Sequence, residues 1–500
     1  MNPINRDILK LAIPSILANI TVPIVGMVDI AVAGHLDASA ATLIGGIAVG
    51  SMLFDLLYWN FGFLRVGTGG LTAQAFGRQD WKECSRILTR ALGMSMAIAC
   101  CLLLIQWVFV KAAFMVVDCS PEVQELASRY FFIRIWAAPA TLSLMALKGW
   151  FIGMQDSVSP MVTDFVVNGM NVLMSIVLAL GIALPHASLE PSGLAGLTSV
   201  SASRVLFPAM GFPGIALGTV AAQYSGLLVA LLIVLFKYRR KVFADFALAD
   251  LRGIFKGSET RRFFVMNADL FVRSLCFIAI YIGFTVISAR YGDLLLAVSS
   301  IMMKILMIFS YFTDGFAYAG EAMTGRYIGA GDPVNLRKTV KWTFIWSMGL
   351  AALFIAIYHF GGVHILRMMT SDEAVVNASR DFLPWLLLMP VVGCAAFTWD
   401  GIFIGATGSR EMRNSMLWSV VAFAAVWFLG ILLLTTLAPA TQADLATSPS
   451  DASGESSAVP GATPYGIIAM HILMAAYFAH LLARTIYLTL KARAVLRLQK

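Results

Sequence analysis

Five carboxylates, Asp29, Asp269, Asp314, Glu321 and Asp400, stand in stretches otherwise made largely of Leu, Ile, Val, Phe, Ala and Gly. An ionised side chain in apolar surroundings costs several kcal/mol unless it faces a polar cavity or a partner of opposite charge. Each of these groups therefore either has a task or is neutralised by a neighbour. Asp29 follows Pro23, which lacks a backbone N–H and can bend the helix that carries it. A carboxylate partly out of water at such a bend can alternate between protonated and charged forms; the plain alternative is an Asp at the helix end, simply solvated. Asp269 and Arg273 are four residues apart on one helix face and are expected to pair with each other. Asp314 and Glu321 also share a face, and can line a cavity or pair with Lys304. Asp55, Arg65, Arg134 and Asp164 read as snorkelling or paired groups near helix ends. His359, His471 and His480 are isolated and read as packing residues, while Tyr58, Trp59, Trp150 and Trp399 are candidates for a cavity wall by position alone.

The elements that hold these groups are set by composition. Of 500 residues, 59% are hydrophobic and 13% charged, and the mean hydropathy is +0.80. A soluble chain would carry roughly a quarter charged residues. At about 20 residues per crossing, the apolar stretches predict twelve membrane-spanning helices over 8–33, 43–75, 88–112, 130–153, 160–185, 211–237, 262–288, 294–328, 341–366, 383–406, 413–437 and 465–489. The first is too long for the apolar part of a cleaved signal peptide and is read as a span. The fold class expected is an all-α membrane protein.

The formal charge of +8 is distributed as membrane topology requires, in alternate loops, which argues against a nucleic-acid partner. Arg78, Lys82 and Arg86 follow span 2; the stretch from Lys237 to Arg262 separates spans 6 and 7; Arg337, Lys338, Lys341, Arg410, Arg413 and the C-terminal Lys491, Arg493, Arg497 and Lys500 continue the series. The loop from Leu437 to Tyr465 has no Lys or Arg. Both termini are thus expected in the cytoplasm, with the chain in the inner membrane of a cell. The six cysteines form neither a C-x-x-C nor a Cys/His cluster, so buried free thiols are expected and no metal site.

The halves repeat. At a constant offset of 252 residues, Gly149-Trp150-Phe151-Ile152-Gly153 meets Gly401-Ile402-Phe403-Ile404-Gly405, Thr72, Gly77 and Asp80 meet Thr324, Gly329 and Asp332, Ser157 meets Ser409, and Gly214-Ile215 meets Gly466-Ile467. With six spans between equivalents, the halves share one orientation and are related by a pseudo-two-fold along the membrane normal. The expected organisation is an N-lobe over 1–236, a basic cytoplasmic linker over 237–261 and a C-lobe over 262–500. Asp400 in this repeat stands opposite Lys148, so the halves differ in charge where their backbones agree.

Several stretches resemble the multidrug and toxic compound extrusion (MATE) transporters, in particular the DinF-like branch. They are LAIPSILANITVPIVGMVDIAVAGHL in span 1, LTAQAFGRQD at the end of span 2, NADLFVRS in span 7, DGFAYAGEAMTGRYIGAGD in span 8 and DGIFIGATGSREMRNS in span 10. The resemblance implies efflux of organic, often cationic and amphipathic compounds in exchange for protons or sodium ions, with no cofactor. It also implies ion-coupling roles for Asp29, for Asn168 and Asn171 of an N-x-x-N stretch in span 5, and for Asp400. Where the family often has a further Asp after the second Asn, this chain has Ser175. A lone carboxylate favours a proton over a dehydrated sodium ion, which prefers several oxygen ligands. The substrate cavity is expected among Asp269, Arg273, Lys304, Asp314, Glu321 and Tyr58, acidic on balance.

Other function classes fit less well. No Walker A sequence is present, so ATP is not the direct energy source, and neither H-E-x-x-H nor G-x-S-x-G supports an enzyme. A flippase for a lipid-linked precursor is the alternative, and it calls for a cavity dominated by Arg and Lys. The 25 Met and 33 Phe suit a wall that adapts to varied apolar cargo, and equally suit a surface against lipid. The partners expected are small organic molecules and the bilayer, with the chain a monomer.

Overall fold

The computed structural model describes residues 3–21, 26, 28–29, 32–33, 40–115, 117, 119–184, 204–243, 257–370, 372–437 and 463–497. Among these, eleven helices are long and apolar enough to cross a membrane, numbered here as spans 2 to 12: Thr42–Gly77, Trp81–Phe114, Pro121–Gly153, Val158–Leu180, Phe212–Val242, Ser258–Ala289, Asp293–Gly329, Pro333–Met369, Leu383–Gly405, Ser409–Thr436 and Pro464–Ala494. Span 1 begins with the helix Pro3–Ile20 and is again helical at Val28, Asp29, Val32 and Ala33. The chain is an all-α membrane protein of twelve helices in two lobes of six. Pro23, most of the 437–465 loop and residues 244–256 of the expected linker lie outside the described residues.

Two features were not anticipated. A short antiparallel ladder pairs Ile182–Leu184 with Arg204–Phe207 between spans 5 and 6. A two-turn helix, Glu373–Arg380, separates spans 9 and 10, with the Asp372 carboxylate accepting from the Ala374 amide at 2.9 Å. Large apolar side chains on the outer faces, such as Leu104 of span 3 and Phe360 of span 9, are 80% and 84% exposed, as lipid-facing positions should be. Cys84 and Cys394 are buried, but Cys100 and Cys101 lie on that outer surface, so the expectation of buried thiols holds for only part of the set. Trp150, a cavity candidate by position, is instead fully buried in the N-lobe core, its indole donating to the Cys84 carbonyl at 2.9 Å.

The repeat is visible in the backbone. Gln79, Gln155, Gly331 and Thr407 are all left-handed, with φ of 59°, 62°, 66° and 55°, and the first and third, like the second and fourth, are equivalents at the offset of 252. The Asp80 carboxylate accepts from the Glu83 amide and its equivalent Asp332 from the Asn335 amide, at 2.9 and 3.0 Å. The Asn335 amide holds the Asp332 carboxyl below the ordinary carboxylate range. In the turn before span 5, burial alone would raise the Asp156 carboxyl; hydrogen bonds from Lys237, Ser159 and Tyr238 outweigh it and hold the group low.

Glycines explain how closely the lobes meet. A Cβ at Gly77 would overlap the Arg326 carbonyl oxygen, and one at Gly329 would overlap that of Gln74. Gln74 and Arg326 are themselves equivalents, so each lobe presents to the other the surface it receives. Within the lobes the same exchange recurs: Gly149 lies against the Arg65 carbonyl, and Gly401 against that of its counterpart Ala317. Spans 2 and 8 thus form a backbone-to-backbone seam at the end that carries the basic loops.

Candidate functional site

Span 5 carries Asn168, Asn171 and Ser175 at spacings of three and four, hence on one face. Each meets a different polar group of spans 1 and 6. Asn168 donates to Thr21 Oγ1 at 2.5 Å, Asn171 to Thr219 Oγ1 at 2.9 Å, and Ser175 Oγ to Asp29 Oδ1 at 3.0 Å. Asp29 is 5% exposed and forms no ion pair among the described residues; the Ser175 hydroxyl is its hydrogen-bond donor. The Asn171 carbonyl oxygen is buried without a partner, one helical turn from Ser175. When such a carboxylate carries a proton the neutral acid needs an acceptor nearby, which an amide oxygen can supply.

Arg134 of span 4, read from the sequence as a helix-end group, turns inward. Its guanidinium donates to Ser51 and Tyr130 at 3.3 and 3.2 Å and lies 4.8 Å over the Phe54 ring. Tyr58 stacks on Phe54 at 5.6 Å and is part of the same aromatic wall.

The second constellation lies between the lobes. Asp400 of span 10 is held by two guanidiniums: Arg484 of span 12 donates through Nε to Oδ1 at 3.0 Å and through a terminal nitrogen to Oδ2, and Arg273 of span 7 donates to the same Oδ2. Arg484 is 2% exposed. Arg65 of span 2 bridges the lobes to Glu321 of span 8 at 3.1 Å, with Tyr318 under its guanidinium at 4.4 Å. Glu321 is 0% exposed and its second oxygen has no partner. Arg65, Arg273, Asp314, Asp400, Tyr318 and Phe397 line a cavity of about 180 Å³. Pockets that hold drug-sized ligands measure about 300–1,000 Å³, so the lobes must part further to admit one.

Several expectations are corrected here. Asp269 does not pair with Arg273; it accepts from Arg413 at 2.6 Å and from Ser409 at 2.9 Å, leaving Arg273 to Asp400. Lys304 is exposed and pairs with neither Asp314 nor Glu321. Of the two readings expected for Arg65 and Asp164, snorkelling or pairing, the structure has pairing, Arg65 with Glu321 and Asp164 with Lys148 at 2.7 Å. The interlobe cavity is not acidic on balance, because the lining cations Arg65 and Arg273 match the lining carboxylates Asp314 and Asp400. Arg484 went unnoticed in the sequence; its signal is a single Arg in the apolar run His-Leu-Leu-Ala-Arg-Thr-Ile, well before the basic tail. His471 accepts from the Trp385 indole at 3.0 Å, and His480 is fully buried against Tyr477. Among the described residues no group of three His, Cys, Asp or Glu could hold a metal ion.

The family model MatE matches the chain twice, over residues 14–177 and 270–434, once in each half. The DNA damage-inducible protein F of Escherichia coli (strain K12) is 34% identical over 422 residues, 84% of either chain. A probable multidrug resistance protein NorM of Photorhabdus laumondii is 23% identical over 417 residues, 81% of this chain and 83% of its own. A crystal structure of MATE in the bent conformation superposes with a TM-score of 0.75 at 14% identity, over 99% of this chain and 95% of that one.

Proposed function

The chain belongs to the MatE family of multidrug and toxin extrusion transporters, and on that premise we propose that it is a proton-coupled antiporter whose carrier group is Asp29. It is a transporter and not an enzyme. In the proposed cycle, organic and often cationic amphipathic compounds leave the cell as protons enter, the two lobes rocking about the site between them.

One observation carries the proton reading: Asp29 is buried, lacks an ion pair among the described residues and is met by the Ser175 hydroxyl where a second carboxylate would favour a metal cation. A sodium ion stripped of water would find one charged group here, beside the Ser175 hydroxyl. A proton needs only the one carboxylate. When Asp29 is charged, Ser175 stabilises it; when neutral, the group turns from acceptor to donor, and the contact between spans 1 and 5 is rebuilt. Asp400 is proposed to shape the C-lobe side of the cavity while its two guanidiniums hold it.

The rest of the organisation is proposed on the same footing: an N-lobe over 1–236, a linker over 237–261 and a C-lobe over 262–500, in the inner membrane as a monomer, both termini cytoplasmic. The basic loops support this orientation. The flippase alternative expects a strong excess of cations in the cavity, and the matched charges of Arg65 and Arg273 with Asp314 and Asp400 favour the smaller cargo instead.

The test is ethidium efflux from vesicles under an imposed proton gradient, with and without sodium, for the wild type and Asp29→Asn. The amide is isosteric and still accepts from Ser175, so the fold is retained and uphill efflux is lost. Full efflux by Asp29→Asn would remove Asp29 from the mechanism, and efflux that requires sodium would overturn the proton.

A further inference from the structure

We propose that the interlobe cavity selects zwitterionic amphipaths, molecules that carry an anionic group beside their cation, over simple organic cations. The inference rests on the antiport reading above and names its cargo more closely. It comes from what remains after the buried charges have found their partners.

Asp400 is satisfied by Arg484 and Arg273 together, so this triad keeps one positive charge in excess. Arg484 is 2% exposed and spends two donors on the carboxylate, whereas Arg273 spends one and lines the cavity. The excess charge is therefore presented by Arg273. Arg65 and Glu321 neutralise each other. Asp314 also lines the cavity and forms no hydrogen bond or ion pair among the described residues. One wall thus offers free guanidinium donors and another a free carboxylate. A monocation finds its partner in Asp314 and leaves Arg273 repelling it. A neutral compound leaves both unpaired. A zwitterion satisfies both, with its carboxylate against the planar fork of Arg273 and its cation against Asp314, and the rings of Tyr318 and Phe397 supply the apolar surface between them.

The experiment uses the full chain in proteoliposomes under an imposed proton gradient. Two dyes share one chromophore: rhodamine B, a carboxylate with a xanthylium cation, and rhodamine B ethyl ester, the cation alone. Ethidium is the control for antiport itself. The wild type is expected to export rhodamine B with a kcat/KM about tenfold or more above that of the ester, the worth of one charge-assisted contact. Arg273→Gln should lower that ratio to about one, because Arg484 still holds Asp400 while the cavity loses its free donors. Asp314→Asn, which strands no buried partner, should move the ratio the other way, since the ester loses its sole partner and rhodamine B keeps Arg273. A purely structural role for either residue would depress both dyes alike and leave the ratio in place, which overturns the inference. Preference for the ester in the wild type, with ethidium still exported, overturns it while sparing the antiport reading. Export of none of the three dyes overturns both.

Discussion

Arg484 shows how much a single buried cation can decide. It stands in a largely apolar run, and it is held by the carboxylate of Asp400, with the Phe397 ring 5.6 Å from its guanidinium. Arg273 still holds Asp400 when Arg484 is removed, so what is lost is charge-assisted hydrogen bonding, about 1.5–3 kcal/mol, and no charge is stranded. Arg484→Met is expected to lower stability by that order in chemical unfolding of the detergent-solubilised protein. Arg484→Lys should recover only part, because an ammonium cannot meet both carboxylate oxygens at once. A midpoint unchanged in Arg484→Met would mean that water reaches Asp400 and the site is not dry. At this scale the sequence was partly legible. Asp29 and Asp400 stood out because a carboxylate in an apolar run is costly, and that physics holds wherever the side chain points. Pairing was not legible: Asp269 and Arg273 satisfy the local four-residue rule, yet both have partners from distant spans. Helix spacing ranks only neighbours on the same helix, and in a bundle the competing groups on other helices come closer.

At the scale of the helix, glycine sets the geometry. The Gly-x-Phe-Ile-Gly stretch recurs in spans 4 and 10 because Gly149 and Gly401 each face a backbone carbonyl of the preceding even-numbered partner, spans 2 and 8. Backbone cannot swing aside as a long side chain can. Gly401→Ala should therefore cost about 1–3 kcal/mol through overpacking, and Gly149→Ala a similar amount, measured as shifts in thermal unfolding midpoint. Gly349→Ala, where a Cβ meets nothing within 4 Å, should leave the midpoint in place. Equal midpoints for Gly401→Ala and Gly349→Ala would show that the two helices can separate at no cost. Helix positions were read well from hydropathy, with span 10 expected over 383–406 and found as Leu383–Gly405. The extensions beyond the apolar runs were not, as in span 9, which starts at Pro333 rather than 341, because there Asp332 caps a first turn that runs into Arg337 and Lys338 and that no membrane signal marks.

For the whole molecule, the seam between lobes at the basic end is fastened by side chains that cross it in both directions. Gln74 donates to the Gly405 carbonyl at 3.0 Å, and Gln155 to the Ala322 carbonyl at 2.7 Å, each reaching into the other lobe. With Arg65 and Glu321 deeper in the bundle, these contacts hold this end shut. At about 1 kcal/mol per hydrogen bond, Gln74→Ala with Gln155→Ala should raise the population opened at this end by about tenfold or more. Spin labels placed on opposite lobes at that end, on Arg78 and Arg410, would then report longer separations; an unchanged distance distribution would assign the closure to the glycine packing alone. The buried triad also bears on how the chain is made. Ribosomes deliver span 7 first, then span 10, then span 12, so Asp400 enters the bilayer with Arg273 already present, and Arg484 arrives last. An Arg at mid-helix opposes insertion by about 2.5–3.5 kcal/mol, a cost that falls away once a carboxylate is waiting inside. Biogenesis of the final span therefore depends on span 10 being in position, and a chain in which Asp400 is replaced by an apolar residue should fail first in the membrane integration of its own C-terminus.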